Sequence, residues 1–254
     1  MTPTTRAPAK LGATIDERLT PQHRALLQEV GRLAVRQGIA AYAVGGCVRD
    51  WLLERPVDEV DIMVEGDSVS LAKRFAATHH GEVTAHPQFR TATVEYRNGK
   101  KSQRVDFAAC RKEAYSEPAA YPKVSPGSLK DDLFRRDFTV NAMAMHVTPK
   151  TFGRLVDLFG GADDVQARLI RVLHAQSFRD DPSRILRAIR FAERLQFTIE
   201  PQTAAWMRAA LQENVLSRLN RGRLRKELLA MLEEPEPLSC LRALGQWLLG
   251  SRVR

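Results

Sequence analysis

The sequence predicts an α+β chain, with a mixed sheet and its helices in roughly the first 150 residues and an all-helical region after them. Three observations carry this expectation. Between Tyr42 and Glu65 a short apolar run, the pair Gly45-Gly46, a helix-length segment and a second β-like run follow one another. Asn98-Gly99 separates two further runs of alternating apolar and polar residues, a strong two-residue hairpin signal. From Thr151 onward the apolar residues recur mostly at helical spacing.

Residues 1–20 carry Thr, Pro and Ala without a long apolar core and are expected to form a mobile tail with no signal peptide. Thr20-Pro21 opens a helix with a hydroxyl cap and a first-turn proline, Leu26, Leu27, Val30, Leu33 and Ala34 make its apolar stripe, and Gly38 ends it. A strand at Ala40–Val44, a helix at about Val48–Glu54 and the strand of Val60, Ile62 and Val64 come next. Asp67 caps a helix running to about His80 with Gly81 as its stop, and His79 and His80 read as a solvated terminus. Strands are expected over Glu82–His86, Arg90–Arg97 and Gln103–Ala109, then a long loop over residues 111–130, which holds Pro118, Pro122, Pro126 and Gly127. After a short strand at Leu155–Phe159 and a run at Leu169–Leu173, helices follow: one carrying Ile185, Ala188, Ile189 and Ala192, one at Pro201–Gln212, one at Leu216–Glu233 and a last amphipathic one after Pro235 and Pro237. Leu238, Leu241, Leu244, Trp247 and Leu248 of that last helix need cover, and if the helical region cannot supply it they mark a homo-oligomer interface.

The 254 residues, 44% hydrophobic and 27% charged, read as an ordinary globular protein with real cores. The net charge of +9 favours a polyanionic partner, although charge alone leaves many nucleic-acid roles open. Cys47, Cys110 and Cys240 are far apart and lack a CxxC spacing, which argues against a zinc site or a disulfide framework and for a reducing cytoplasm. No run approaches the roughly 18 apolar residues a membrane span needs.

The residue types around the two glycines point to phosphate chemistry. Gly45 and Gly46 let backbone N–H groups approach a ligand, the following helix presents its positive end, and Arg49 offers a fork for phosphate oxygens. Period-two alternation puts Glu59, Asp61 and Met63 on one face of the second strand and Val60, Ile62 and Val64 on the other. Two carboxylates one pleat apart suit Mg²⁺ and two-metal phosphoryl transfer. Asp106 either completes a carboxylate trio with Glu59 and Asp61 or pairs with an arginine. Asp58 is the other candidate for first ligand, but it points to the opposite pleat. On the helix after residue 180, Arg184, Arg187, Arg190 and Arg194 flank the apolar stripe, with Asp181 about 60° from Arg184 on a helical wheel. An acceptor beside a forked donor matches the edges of cytosine and adenine, which both carry an exocyclic amine next to an acceptor nitrogen, and mismatches uracil and guanine. Arg218, Arg221, Arg223, Arg225 and Lys226 offer either an RNA-backbone contact or a solvated face, with Glu227 placed to anchor one of these arginines.

Gly45-Gly46-Cys47-Val48-Arg49-Asp50-Trp51-Leu52-Leu53 with the acidic strand, Leu133-Phe134-Arg135-Arg136-Asp137-Phe138-Thr139-Val140-Asn141-Ala142-Met143-Ala144, and Asp180-Asp181-Pro182-Ser183-Arg184-Ile185-Leu186-Arg187-Ala188-Ile189-Arg190-Phe191 resemble, in order, three motifs of the class II tRNA nucleotidyltransferase and poly(A) polymerase family. The resemblance covers roughly residues 40–230. It implies a polymerase-β-like head (residues 21–150) followed by an all-α neck (151–254), with Asp157 and the glycines after it as the hinge. It also implies that the loop over 111–130 helps specificity, that Arg136 and Asp137 reach the ribose and phosphates, and that Asp181 and Arg184, with Arg187 and Arg190 beside them, select the base. The expected activity is template-independent addition of C, A or both, from CTP and ATP, to the 3′ end of tRNA or another RNA. The cofactor would be Mg²⁺ on Glu59 and Asp61, with Asp106 in the same catalytic set and pyrophosphate released. The family carries an aspartate where this chain has Glu59, and its members usually continue into further domains that hold tRNA. Poly(A) polymerase, a non-catalytic RNA-binding relative and an enzyme modifying a small molecule are the alternatives; Mg²⁺-dependent incorporation and its dependence on RNA separate them.

Overall fold

In the computed structural model, residues 14–99 and 101–250 are described. The chain divides into two compact units. The first comprises residues 1–112, 125–136 and 140–165; the second comprises 113–124, 137–139 and 166–254. Most of the expected tail, residues 1–13, lies outside the described residues. Its remainder is packed, with Ile15 and Leu19 buried and the Ile15 N–H donating to the Gly153 carbonyl at 2.9 Å.

The first unit is built on a seven-stranded mixed sheet. Its elements are α1 (Pro21–Arg36), β1 (Ala40–Val44), α2 (Gly46–Leu52), β2 (Val60–Glu65), α3 (Ser68–His79), β3 (Glu82–His86), β4 (Thr91–Asn98), β5 (Lys101–Ala109), the start of β6 (Arg111–Ala114), the end of β7 (Lys123–Pro126), α4 (Leu129–Phe134), β8 (Met143–His146), β9 (Leu155–Asp157) and the start of α5 (Gly161–Ala167). The sheet order is β3-β4-β5-β2-β1-β8-β9. Only β2 and β5 among these pairs run parallel, because a crossover through α3 and the β3–β4 hairpin separates them.

The caps expected from the sequence are present. Thr20 accepts from the His23 N–H at 3.1 Å and Asp67 from the Ser70 N–H at 3.0 Å. α1 and α3 bury their apolar stripes on one face of the sheet, and Val60, Ile62 and Val64 point into that core. The opposite face is covered only in part. There α4 brings Leu129 and Leu133 into a second cluster with Tyr42, Val44, Met63, Cys110 and Ala144. Met63, expected on the open face with Asp61, is therefore buried beneath α4, and Asp61 is left exposed.

Three local expectations are corrected. His79 is not simply solvated: its Nε2 lies 3.0 Å from a Glu29 carboxylate oxygen and its ring packs against Phe75 and Tyr96. The segment 111–130 holds β6, β7 and the start of α4, so its irregular part shrinks to the stretch between the two short strands. α2 begins at Gly46 and ends at Leu52, two residues earlier at each end than expected.

The second unit is mostly helical, with β10 (Leu169–Ile170), α6 (Ser177–Asp180), α7 (Ser183–Leu195), β11 (Thr198–Ile199), α8 (Pro201–Gln212), α9 (Arg221–Leu232) and α10 (Pro237–Gly250). α7 is its centre. Ile185, Ala188, Ile189 and Ala192 are buried as expected, and α9 and α10 pack on this helix. The helix expected over Leu216–Glu233 is split, because the Asn220 side chain caps a new start by accepting from the Gly222 N–H at 2.7 Å. Along α10, Leu238, Leu241 and Leu248 remain exposed and Cys240 is buried. Among the described residues no helix is long and apolar enough to cross a membrane.

Gly31 is where α1 meets its neighbour most closely: a Cβ there would fall 1.8 Å from the Val147 carbonyl oxygen. Gly31→Ala should therefore destabilise the first unit by about 1–3 kcal/mol, read as a lowered urea midpoint with an unchanged m-value.

Candidate active site

In the first unit the site starts where β1 ends. Gly45 adopts φ +79°, the region glycine favours, and a Cβ there would lie 2.6 Å from Arg136 Nη1. The turn thus brings bare backbone against a guanidinium. Arg136 is steered from α4: Asp132, fully buried, accepts from Arg136 Nη2 at 3.2 Å and from Arg135 Nε at 2.9 Å. Arg136 Nη1 donates to the Asn141 carbonyl at 3.4 Å, while its Nε is buried with no hydrogen-bond partner. α4 is in turn tied to the sheet, its first N–H donating to Glu65 at 3.0 Å.

Arg49 is placed differently from the sequence expectation. Its side chain is buried and forks onto Asp50, at 2.9 and 2.8 Å, and its Nη1 reaches Asn141 Oδ1 at 2.5 Å. This arginine shapes the loop behind the glycines, and its fork is already occupied. Asn141 links it to Arg136, one through the side chain and the other through the backbone. Sequence reasoning did not single out Asn141 or Asp132. An amide inside the apolar run Val140–Met145 was the available signal for Asn141, since a buried amide needs partners. Asp132 gave none, because an Asp-Asp pair reads as solvated surface.

The carboxylates lie on β2 and β5. The parallel register sets Asp61 directly opposite Asp106, about 4.8 Å apart along the ladder. Of the two alternatives for Asp106, the pairing with an arginine is formed: it accepts from Arg104 Nε at 3.1 Å, and from Thr93 Oγ1 as well, while standing opposite Asp61. Glu59 is exposed just before β2, and its charge acts on Asp61. Asp58 lies before β2, and its charge acts on His23 of α1. Although Asp61 is solvent-accessible, the protein around it strips enough hydration to raise its carboxyl above the usual carboxylate range. Arg136 and Arg104 oppose that rise, and Asp106 and Glu59 add to it. Cys47, fully buried beside this group, has its thiol pushed up to about 12, by burial first and then by Asp61. Among the described residues no three His, Cys, Asp or Glu side chains stand close enough together to hold a metal ion.

The second unit carries the remaining residues. Asp137 is buried, accepts from the Phe138 N–H at 2.8 Å and takes the fork of Arg187, whose Nε lies 2.9 Å away. Glu227 stands 3.6 Å from Arg187 and 3.7 Å from Arg190, so it anchors arginines of α7 rather than those of its own helix. Burial works against the charge on Arg187, but Asp137, Glu227 and Asp181 outweigh it and raise its pKa. Arg190 is held by Glu234 at 2.9 Å and stacks 4.8 Å from the Phe191 ring centre, which makes it a buried cross-link of this unit. Arg184 is buried and donates to Ser177 Oγ at 3.2 Å. Asp181 is not on the helical wheel: it is extended, φ −135° and ψ 94°, and its Oδ1 accepts from the Ser183 N–H at 2.9 Å. Pro182 explains this, because a residue before proline is pushed out of the α region.

With this geometry in hand, likeness to known proteins becomes informative. The sequence profile of the poly A polymerase head domain matches residues 41–171, just over half of the chain. This chain belongs to the poly A polymerase head-domain family. A second profile, described as the probable RNA and SrmB-binding site of polymerase A, matches residues 196–247. The A-adding tRNA nucleotidyltransferase of Aquifex aeolicus is 46% identical over 203 residues, 80% of this chain and 24% of that protein. Its Geobacter sulfurreducens counterpart is 42% identical over 226 residues, 89% of this chain and 25% of that protein. Among solved structures, a CCA-adding enzyme in apo form II superposes with a TM-score of 0.86 at 40% identity, covering 92% of this chain and 55% of that one. The Thermotoga maritima CCA-adding enzyme complexed with tRNA gives 0.79 at 38% identity, covering 97% and 55%. The chain thus spans about a quarter to about half the length of these relatives. The expected fold class, α+β with a polymerase-β-like head, holds.

The raised carboxyl of Asp61 carries a stability cost. Between the ordinary carboxylate pKa and its higher folded value, the native state binds the proton more tightly than the unfolded chain, so stability falls as pH rises through that window. Asp61→Asn should therefore make the protein more resistant to urea at pH 7. The difference from the unmodified chain should vanish once the pH is below the unfolded value.

Proposed function

We propose that this chain carries the catalytic machinery of a template-independent nucleotidyltransferase that adds adenosine, cytidine or both to the 3′ end of tRNA, releasing pyrophosphate, in the cytoplasm. The observation that carries the reading is the exposed Asp61 opposite Asp106 on the parallel strands, felt by Arg136, whose guanidinium lies against the turn at Gly45, in a head of this family. Likeness to two A-adding enzymes supports adenosine as the nucleotide.

The residues fit Mg²⁺. The donors are hard carboxylate oxygens, Asp61 is open to solvent, and the like charges of Asp106 and Glu59, which add to the desolvation that raises its carboxyl, are what a divalent cation relieves. Asp61 and Asp106 would hold it, with the charge of Glu59 adding to the field and water filling the remaining positions. Bound there, Mg²⁺ supplies a lowered pKa for the terminal ribose hydroxyl and charge neutralisation for the pyrophosphate. Arg104 and Thr93 hold Asp106 in its orientation. Gly45 lets the triphosphate approach backbone N–H groups, and the Arg136 guanidinium, held against that turn by Asp132, supplies positive charge to it. In the second unit Asp181 accepts from the exocyclic amine of adenine or cytosine and Arg184 donates to the adjacent ring nitrogen, so uracil and guanine offer mismatched edges. Asp137, held by Arg187, accepts from a ribose hydroxyl.

The test offers one labelled nucleotide at a time, with Mg²⁺, to tRNAs ending before the first cytidine, after one and after two. Addition of a single adenosine to the tRNA ending in two cytidines is expected. Long adenosine tails on any RNA would favour poly(A) polymerase, and no incorporation would favour a non-catalytic RNA binder. Asp61→Asn should lower incorporation by roughly a thousandfold or more while ATP still binds, as removal of a metal-holding group does.

A further inference from the structure

Arg223 of α9 makes three contacts that the roles above leave unexplained. Its Nη2 pairs with Asp181 Oδ1, its Nη1 donates to the Ala119 carbonyl at 3.4 Å, and its guanidinium lies 5.7 Å from the centre of the Tyr121 ring. Ala119 is fastened a second time, its N–H donating to the Arg179 carbonyl at 3.0 Å. One planar cation therefore joins the stretch 115–122 to the carboxylate placed as base reader.

The geometry at Asp181 gives that junction a purpose. Oδ1 accepts from the Ser183 N–H at 2.9 Å, from Ser183 Oγ at 2.5 Å and from Arg223. All three donors fall on one oxygen, which leaves Oδ2, among the described residues, for a ligand. A carboxylate outside a helix turns freely about two side-chain bonds unless it is held. Readout of a base edge needs it fixed to about 0.5 Å and 10–20°. A guanidinium fork supplies such a restraint at small entropic cost, whereas an ammonium holds only one point.

We propose that Arg223 is a positioning residue that sets nucleotide specificity. It pins Oδ1 of Asp181 so that Oδ2 meets the exocyclic amine of the incoming base, and it straps the 115–122 stretch to that reader so that loop position and base selection move together. This rests on the nucleotidyltransferase reading above.

The test compares Arg223→Ala and Arg223→Lys with the unmodified chain by hydrogen–deuterium exchange, by calorimetric binding of ATP against GTP, and by incorporation into tRNA. In Arg223→Ala, exchange should rise in 115–122 and at Ser183 while α8 and α10 stay protected. The preference for ATP over GTP should fall about tenfold, through a higher KM for ATP more than a lower kcat, with Arg223→Lys intermediate. Unchanged exchange in 115–122, or unchanged ATP preference in a folded variant, would overturn the proposal. Should the unmodified chain add no nucleotide to tRNA, the functional reading fails separately, and the strap is still judged by exchange and by binding. If Arg223→Ala does not fold, Tyr121→Ala takes its place. Tyr121 is 70% exposed, so its truncation spares the core, and it should speed exchange in the same stretch and reduce the ATP preference about threefold.

Discussion

The parallel pairing of β2 with β5 is the constraint on which the rest depends. It sets Asp61 opposite Asp106, two like charges that water alone would keep apart. The crossover between the strands supplies Thr93 from β4, and β5 itself supplies Arg104, so the element that makes the pairing parallel also holds Asp106 in place. A slip of β2 by one residue against β5 would send Asp61 to the other face, into the core beneath α1 and α3, and part it from Asp106. The buried Val60, Ile62 and Val64 forbid that shift, and in this way hydrophobic packing on one face fixes charge geometry on the other.

A different economy governs the second unit. Several of its arginines are buried or half-buried partners of carboxylates: Arg187 with Asp137 and Glu227, Arg190 with Glu227 and Glu234, Arg223 with Asp181. Burial of such pairs gains little net stability, and loss of one member leaves a costly unpaired charge. Their worth lies in fixed directions. α7 serves as the rod from which these directions are measured, its apolar stripe packed and its cationic flank held from several sides.

Much of this was legible in the sequence where local chemistry decides. Thr20 and Asp67 cap as hydroxyl and carboxylate caps should, and α8 runs from Pro201 to Gln212 as its proline and periodicity indicate. The three motif stretches led to the family. Legibility failed where a distant segment decides. Met63 is buried only because α4 returns across the sheet, and the Nη1 of Arg49 is taken because Asn141, far along the chain, lies beside it. The inner structure of 111–130 arises from pairing that its prolines conceal. Asp181 is a different case: Pro182 already announced an extended residue, and the helical pattern after it drew the prediction too far back.

The claim at the centre of this account is that Asp61 and Asp106 hold a divalent ion jointly. Titration of Mn²⁺ by electron paramagnetic resonance, in the presence of ATP, tests it without requiring turnover. The account predicts a saturable site in the unmodified protein that is weakened at least tenfold by Asp61→Asn and by Asp106→Asn alike, with the fold retained. Equal Mn²⁺ affinity in all three proteins would contradict it.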